Sequence, residues 1–157
     1  MFSSPTWWGS PKAESDCMKG QNLMDWKLEL VVVPVADVDR AKRFYSEQVG
    51  FVVDVDHRGS ETFRVVQLTP PGSACSITVG TGLGDMPPGS VKGLQLVVPD
   101  IEAARAELVE RGVEVSTVKH FEGGAMADGP GGDYNSFIFF SDPDGNAWVV
   151  QEKHARP

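Results

Sequence analysis

Residues 141–152 read SDPDGNAWVVQE. The first half writes a tight turn: Pro143 presets φ, Gly145 supplies φ > 0, and the side chains of Asp142 and Asn146 can bond the local backbone. The second half, Ala147 to Gln151, is rich in β formers and reads as a buried strand. A fainter copy lies upstream, where Thr69-Pro70-Pro71-Gly72-Ser73-Ala74 matches Asp142-Pro143-Asp144-Gly145-Asn146-Ala147 at an offset of 73 residues. Val35-x-Asp37-Val38-Asp39-x-Ala41 likewise matches Val98-x-Asp100-Ile101-Glu102-x-Ala104 at an offset of 63. Two copies of one supersecondary unit imply an internal pseudo-twofold, with both sheets curling around a shared concavity suited to a small ligand.

Taken in order, the chain predicts a strand over Trp26 to Val35 and an N-cap at Asp37. A helix follows that turns Val38, Ala41, Phe44, Tyr45 and Val49 inward, with a C′ stop at Gly50. Strands are expected over Phe51 to Val55, Thr62 to Leu68 and Ala74 to Val79, with His57 to Ser60 as a turn. The order restarts with a strand over Leu94 to Val98, an N-cap at Asp100, a helix over Ile101 to Arg111 stopped by Gly112, and a strand over Val113 to Val118. The stretch from His120 to Asp133 reads as a loop carrying five glycines, before a strand over Tyr134 to Phe140. The expected architecture is α+β: a flexible tail over residues 1–23, a βαβββ module over 24–80, a linker over 81–90 and a second βαβββ module over 91–153.

A length of 157 residues fits one domain, or two half-domains sharing a core. The formal charge of −8 argues against a nucleic-acid partner and against an anionic membrane surface. No apolar run approaches the roughly 20 residues needed to span a bilayer, and no basic region followed by an apolar one marks a secretory signal at the N-terminus. Cys17 and Cys75 lack metal or redox spacing, which fits a reducing, cytoplasmic setting. Met24 is an alternative initiator, since periodic sequence begins directly after it. Adjacent indoles at Trp7 and Trp8 are costly to expose and read either as an irrelevant leader or as a contact with the domain or a partner. No phosphate loop or nucleophile elbow is present.

The paired V-x-D-[VI]-[DE]-x-A starts, Phe44-Tyr45 on the first helix, the exits Gly50-Phe51 and Gly112-Val113, and Asp142 to Asn146 before the last strand resemble the vicinal oxygen chelate superfamily. That group includes glyoxalase I, extradiol dioxygenases, fosfomycin-modifying enzymes and bleomycin-binding proteins. The resemblance covers residues 26–152 and implies paired βαβββ modules whose eight strands form a cup-shaped mixed β-sheet flanked by helices. It also implies that a metal-using relative takes its ligands from the first and last strand of each module. Those positions here are Leu30, Ser76, Gly93 and Val149, which offer no carboxylate or imidazole. The expectation is therefore no metal and no cofactor.

A small organic ligand is the expected partner instead. Leu30, Val32, Phe139 and Val149 would supply apolar walls, Thr78, Gln95 and Gln151 would set orientation, and the glycine-rich stretch would act as a lid. Gln95 and Gln151 read equally well as a pair bonded to each other. The rival is a metal-dependent lyase or dioxygenase with a displaced ligand set drawn from Glu29, His120 and Glu122, the last two also being an acid–base candidate. Edge strands in need of covering point to a homodimer.

Overall fold

The computed structural model describes residues 24–154; Trp7, Trp8 and Cys17 lie outside the described residues. The two N-cap expectations hold. Asp37 accepts a hydrogen bond from the Arg40 N–H at 3.0 Å and opens α1 (Val38–Arg43), and Asp100 accepts one from the Ala103 N–H at 3.0 Å and opens α2 (Ile101–Glu110). Beyond α1 the backbone widens into a π-helical stretch, Phe44–Val49, which Gly50 ends in the left-handed region at φ 94°. Phe44 and Tyr45 both lie in the core.

The first module contributes β1 (Leu30–Val32), β2 (Val52–Ser60), β3 (Phe63–Thr69) and β4 (Ser76–Thr81), ordered β1-β4-β3-β2 with β1 parallel to β4. The second contributes β5 (Leu94–Val98), β6 (Lys119–Glu122), β7 (Ala125–Asp128), β8 (Phe137–Ser141) and β9 (Ala147–Glu152), ordered β5-β9-β8-β6-β7 with β5 parallel to β9. Among the described residues no helix is long and apolar enough to cross a membrane.

Because side chains alternate along a strand, each sheet has a core face and an open face. Val66, Leu68, Ile77 and Val79 from one sheet, and Ile138, Phe140, Trp148 and Val150 from the other, join Ala41, Phe44, Tyr45, Ile101 and Leu108 in one core cluster. The open faces carry Leu30, Val32, Gln67, Ser76 and Thr78 in the first module. Gln95, Val97, Phe137, Phe139, Val149 and Gln151 occupy the open face of the second.

The turn that decided the fold also joins the modules. Asp142 is buried, and its carboxylate accepts hydrogen bonds from the N–H groups of Asp144 and Asn146, from Asn146 Nδ2 and from the Tyr45 hydroxyl at 2.7 Å. Trp148 Nε1 donates to the Tyr45 oxygen at 2.9 Å. Burial, then the neighbouring Asp142 carboxylate, pushes the Tyr45 hydroxyl far above its ordinary pKa, so it stays a donor. Asn146 Nδ2 also donates to the Pro34 carbonyl, and Asp144 accepts from the Ala36 N–H and Arg40. The rings of Phe140 and Trp148 stack 6.0 Å apart, and Phe51 meets Trp148 edge-on at 5.7 Å. Trp148 is buried in the core, and Asp142 bonds the local backbone as expected while also being buried itself.

Four local expectations give way. The ladder holds only Leu30–Val32 of the strand read from Trp26. Strand β2 runs through His57 to Ser60, where a turn was expected, because β3 pairs along that length. Val115 makes a single bridge to Phe140 in place of a strand over Val113 to Val118. The glycine-rich stretch is a hairpin: Gly123 (φ 61°) and Gly124 (φ 82°) supply the two positive φ values of a tight two-residue turn between β6 and β7.

Candidate functional site

The open face of the second module holds a recess of about 510 Å³ lined by Gln95, Phe121, Asp133, Tyr134, Asn135, Phe137 and Gln151. Its floor comes from the sheet, where Phe137 on β8 pairs with Gln151 on β9. Its wall comes from the hairpin, which sets Phe121 edge-on to Phe137 at 5.6 Å. Asn135 pins that wall twice: its Oδ1 accepts from the Phe121 N–H at 2.9 Å and its Nδ2 donates to the Phe121 carbonyl at 3.0 Å. Tyr134 sits in the left-handed region at φ 64°, unusual for a bulky side chain. Lys153 Nζ lies 5.8 Å from its ring centroid.

The polar groups of the recess form a directed chain. Gln95 Nε2 donates to Gln151 Oε1 at 2.8 Å, and Gln151 Nε2 donates to the Tyr134 carbonyl at 2.8 Å. The first bond runs diagonally across a register slip. Val32 pairs with Thr78, but Gln95, at Val32's place in the repeat, pairs with Val149, two residues before Thr78's counterpart Gln151. An even slip leaves every side chain on its original face. Gln95 is exposed, and its Oε1 accepts no hydrogen bond among the described residues.

The first module's open face is differently furnished. Gln67 Nε2 donates to Ser76 Oγ at 3.2 Å, Ser76 and Thr69 hydroxyls meet at 2.6 Å, and Thr69 donates to the Asp54 carboxylate. Beside them Thr78 is 3% exposed, and its hydroxyl has no partner among the described residues.

The expected site residues thus fall into two groups. Gln95 and Gln151 line the recess, bonded to each other, with Phe139 and Val149 paired on the same face. Leu30, Val32 and Thr78 lie together on the other sheet, Leu30 opposite Ser76 and Val32 opposite Thr78. Gly93 donates its N–H to the Ala147 carbonyl at 3.1 Å and adopts φ 83°.

His120 and Glu122 are paired, Nε2 to Oε1, at 3.0 Å, while His120 Nδ1 lies 2.8 Å from the Gly129 carbonyl. Glu122 first, then that carbonyl, raises the His120 pKa above its ordinary value. Glu29 is exposed on the other sheet's margin, its carbonyl accepting from the Ser76 N–H. Among the described residues no three of His, Cys, Asp and Glu converge on one point. The sequence reading missed Phe121 and Asn135; the Gly123-Gly124 pair was the hairpin signal that places Phe121 on a strand.

Paired βαβββ modules with a recess on an open sheet face define a class of small-ligand and metal-site proteins. The chain belongs to the Glyoxalase/Bleomycin resistance protein/Dioxygenase superfamily, whose family model matches residues 27–150. Its structure is similar to that of TnmS3, an antibiotic binding protein from Streptomyces sp. CB03234, at 35% identity and a TM-score of 0.68, covering 84% of this chain and 99% of that one. It is also similar to a glyoxalase/bleomycin resistance protein from the same organism, at 37% identity and a TM-score of 0.63 over 80% of this chain and 99% of that one. A member of the same superfamily from Sphaerobacter thermophilus DSM 20745 is 27% identical, with a TM-score of 0.67 over 83% of this chain and 100% of that one. Among curated proteins no sequence matches the chain.

Proposed function

We propose that this protein binds a small, uncharged organic molecule, of the kind an antibiotic-binding protein sequesters, and does so without a metal. The observation that carries the reading is the recess walled by Phe121, Tyr134 and Phe137, with a glutamine carbonyl oxygen unspent at its edge. Apolar walls with a few placed polar groups are what small-ligand sites use. The similarity to an antibiotic binding protein supports the same reading. The residues at the family's metal positions, Leu30, Ser76, Gly93 and Val149, offer one hydroxyl between them and do not fit a divalent ion.

A homodimer is part of the proposal. Val55 and Phe63 on one open face, and Val97 and Phe121 on the other, are all exposed large hydrophobics. A second copy, laid so that one module's open face meets the other's, would cover them and close the cup. Cytoplasmic residence is proposed on the cysteine usage alone. The lyase or dioxygenase alternative would need Glu29 to join His120 and Glu122 from a different sheet.

Equilibrium titration with methyl 2-naphthoate, a neutral aromatic probe, tests the proposal. The full chain is expected to bind it, and Phe137→Ala to weaken binding about tenfold or more, the scale of losing a buried aromatic anchor. Equal affinity in both proteins, or a stoichiometric divalent ion in protein purified without chelator, would sink it.

A further inference from the structure

The two modules leave an opening between them. A cleft of about 340 Å³ has Phe51 and the Pro70-Pro71 turn of the first module on one side, and β5 and α2 of the second on the other. Its floor is core: Phe51, Leu108, Phe140 and Val150 line it and are themselves buried. Protein interiors close-pack and leave few voids larger than a water molecule. An opening of this size onto core side chains is an unfilled packing position that calls for an apolar group. Gln95, Phe121, Phe137 and Gln151 line the recess and not this cleft, so the two are separate.

The cleft also has a charged rim. Glu107 and Arg111 line it one helical turn apart at the end of α2, and both are exposed. A Glu four residues before a cation is the order that favours pairing along a helix. These two do not pair, and neither has an ion-pair partner among the described residues. Arg111 reaches across to the first module instead. Its Nη1 donates to the Val49 carbonyl at 3.4 Å and stands 2.6 Å from where a Cβ on Gly50 would lie. Gln48 Nε2 donates to the Arg111 carbonyl at 3.2 Å and ties the helix end to the same place. A carboxylate and a guanidinium are thus parted over an apolar floor.

We propose that this cleft is a second binding site, distinct from the recess, and that it takes an α-amino acid with an apolar side chain. The amino acid's carboxylate accepts from Arg111, its ammonium donates to Glu107, and its side chain fills the floor. A simple anion would face Glu107 in a chain of formal charge −8, and a simple cation would face Arg111. A zwitterion uses both groups. The volume lies near the lower end of the roughly 300–1,000 Å³ of small-ligand sites, which suits one amino acid.

Calorimetric titration of the full-length protein with L-phenylalanine tests the site. Phenethylamine, which lacks the carboxylate, and N-acetyl-L-phenylalanine, which lacks the ammonium, should each bind about tenfold more weakly, the scale of one charge-assisted hydrogen bond. Glycine keeps both charges without the side chain and should also lose about tenfold or more. Arg111→Gln and Glu107→Gln should each weaken L-phenylalanine about tenfold. Arg111→Gln should leave phenethylamine affinity unchanged, and Glu107→Gln that of N-acetyl-L-phenylalanine, because the missing contact is already absent. Thermal midpoints confirm that the variants fold. Phe137→Ala, in the recess, should not alter L-phenylalanine binding. The proposal is overturned by L-phenylalanine that fails to bind at millimolar concentration, by equal affinity in the wild type and both charge variants, or by glycine binding as tightly. Loss of L-phenylalanine binding in Phe137→Ala would place it in the recess and overturn the second site while leaving the first.

Discussion

The two modules spring from one repeat yet differ where they face outward. In the first, the TPPGS turn sits at the surface, with Pro71 and Gly72 exposed, and leads into a strand face of hydroxyls and an amide. In the second, the DPDGN turn is buried through Asp142 and Asn146 and leads into a face of aromatics and amides. The core faces match because both must pack against helices. The turns and open faces were free to diverge, one turn becoming the joint between modules and one face the floor of a recess.

The largest test of that contrast is to remove the matched turn residues. Asp142→Ala takes away the acceptor of the Tyr45 hydroxyl, of one Asn146 Nδ2 hydrogen and of two backbone N–H groups, and should cost about 3–4 kcal/mol in urea unfolding. Thr69→Ala, at the same place in the repeat, should cost about 1 kcal/mol. Equal losses would mean that the second turn is no joint.

A second comparison uses turns under the same strain. Gly72 (φ 85°) and Gly124 (φ 82°) both have open space where a Cβ would go, so valine at either is penalised by backbone conformation alone. Each substitution should cost about 1–2 kcal/mol. Only Gly124→Val should also weaken methyl 2-naphthoate binding, because only that turn holds Phe121 over Phe137. Matching affinities in the two variants would separate the hairpin from the site.

The smallest effects are those of pH, and they fall at opposite ends. In the first module Arg64 and then Lys42 hold Asp56 well below the usual carboxylate range, and Arg64 lowers Asp39 as well. Depressed carboxylates stabilise above their unfolded pKa, and that contribution disappears as pH falls through the folded value. In the second, His120 is raised, so its contribution is complete below about 6.5 and is lost as pH rises through the folded value. Asp128, paired with Lys119, adds a small acid-side response to the same hairpin. Hydrogen exchange should show the β6–β7 amides losing protection on the alkaline side, and His120→Gln should abolish that dependence. A hairpin protected equally at pH 6 and pH 9 would remove His120 from its support.

Much of this was legible in the sequence because it is local or periodic. Both N-caps, the glycine stops, the repeat and the inward set Ala41, Phe44 and Tyr45 need only a few residues of context. Gln95 and Gln151 were placed on one face by counting in twos. What could not be read depends on contacts far apart in the chain. Asp142 looks like any turn aspartate until Tyr45, 97 residues away, is seen to donate to it. Phe121 looks like part of a loop until Asn135 pins it. The register slip between β5 and β9 leaves no trace in a pattern of period two.

The central claim is that the recess on the second module holds a small, uncharged ligand. Titrating isotopically labelled protein with methyl 2-naphthoate and following backbone amide resonances tests it most directly. The expected result is that Phe121, Asn135, Phe137 and Gln151, which line the recess, shift together along a single binding curve. No shift in these four, or shifts that follow unrelated curves, would contradict it.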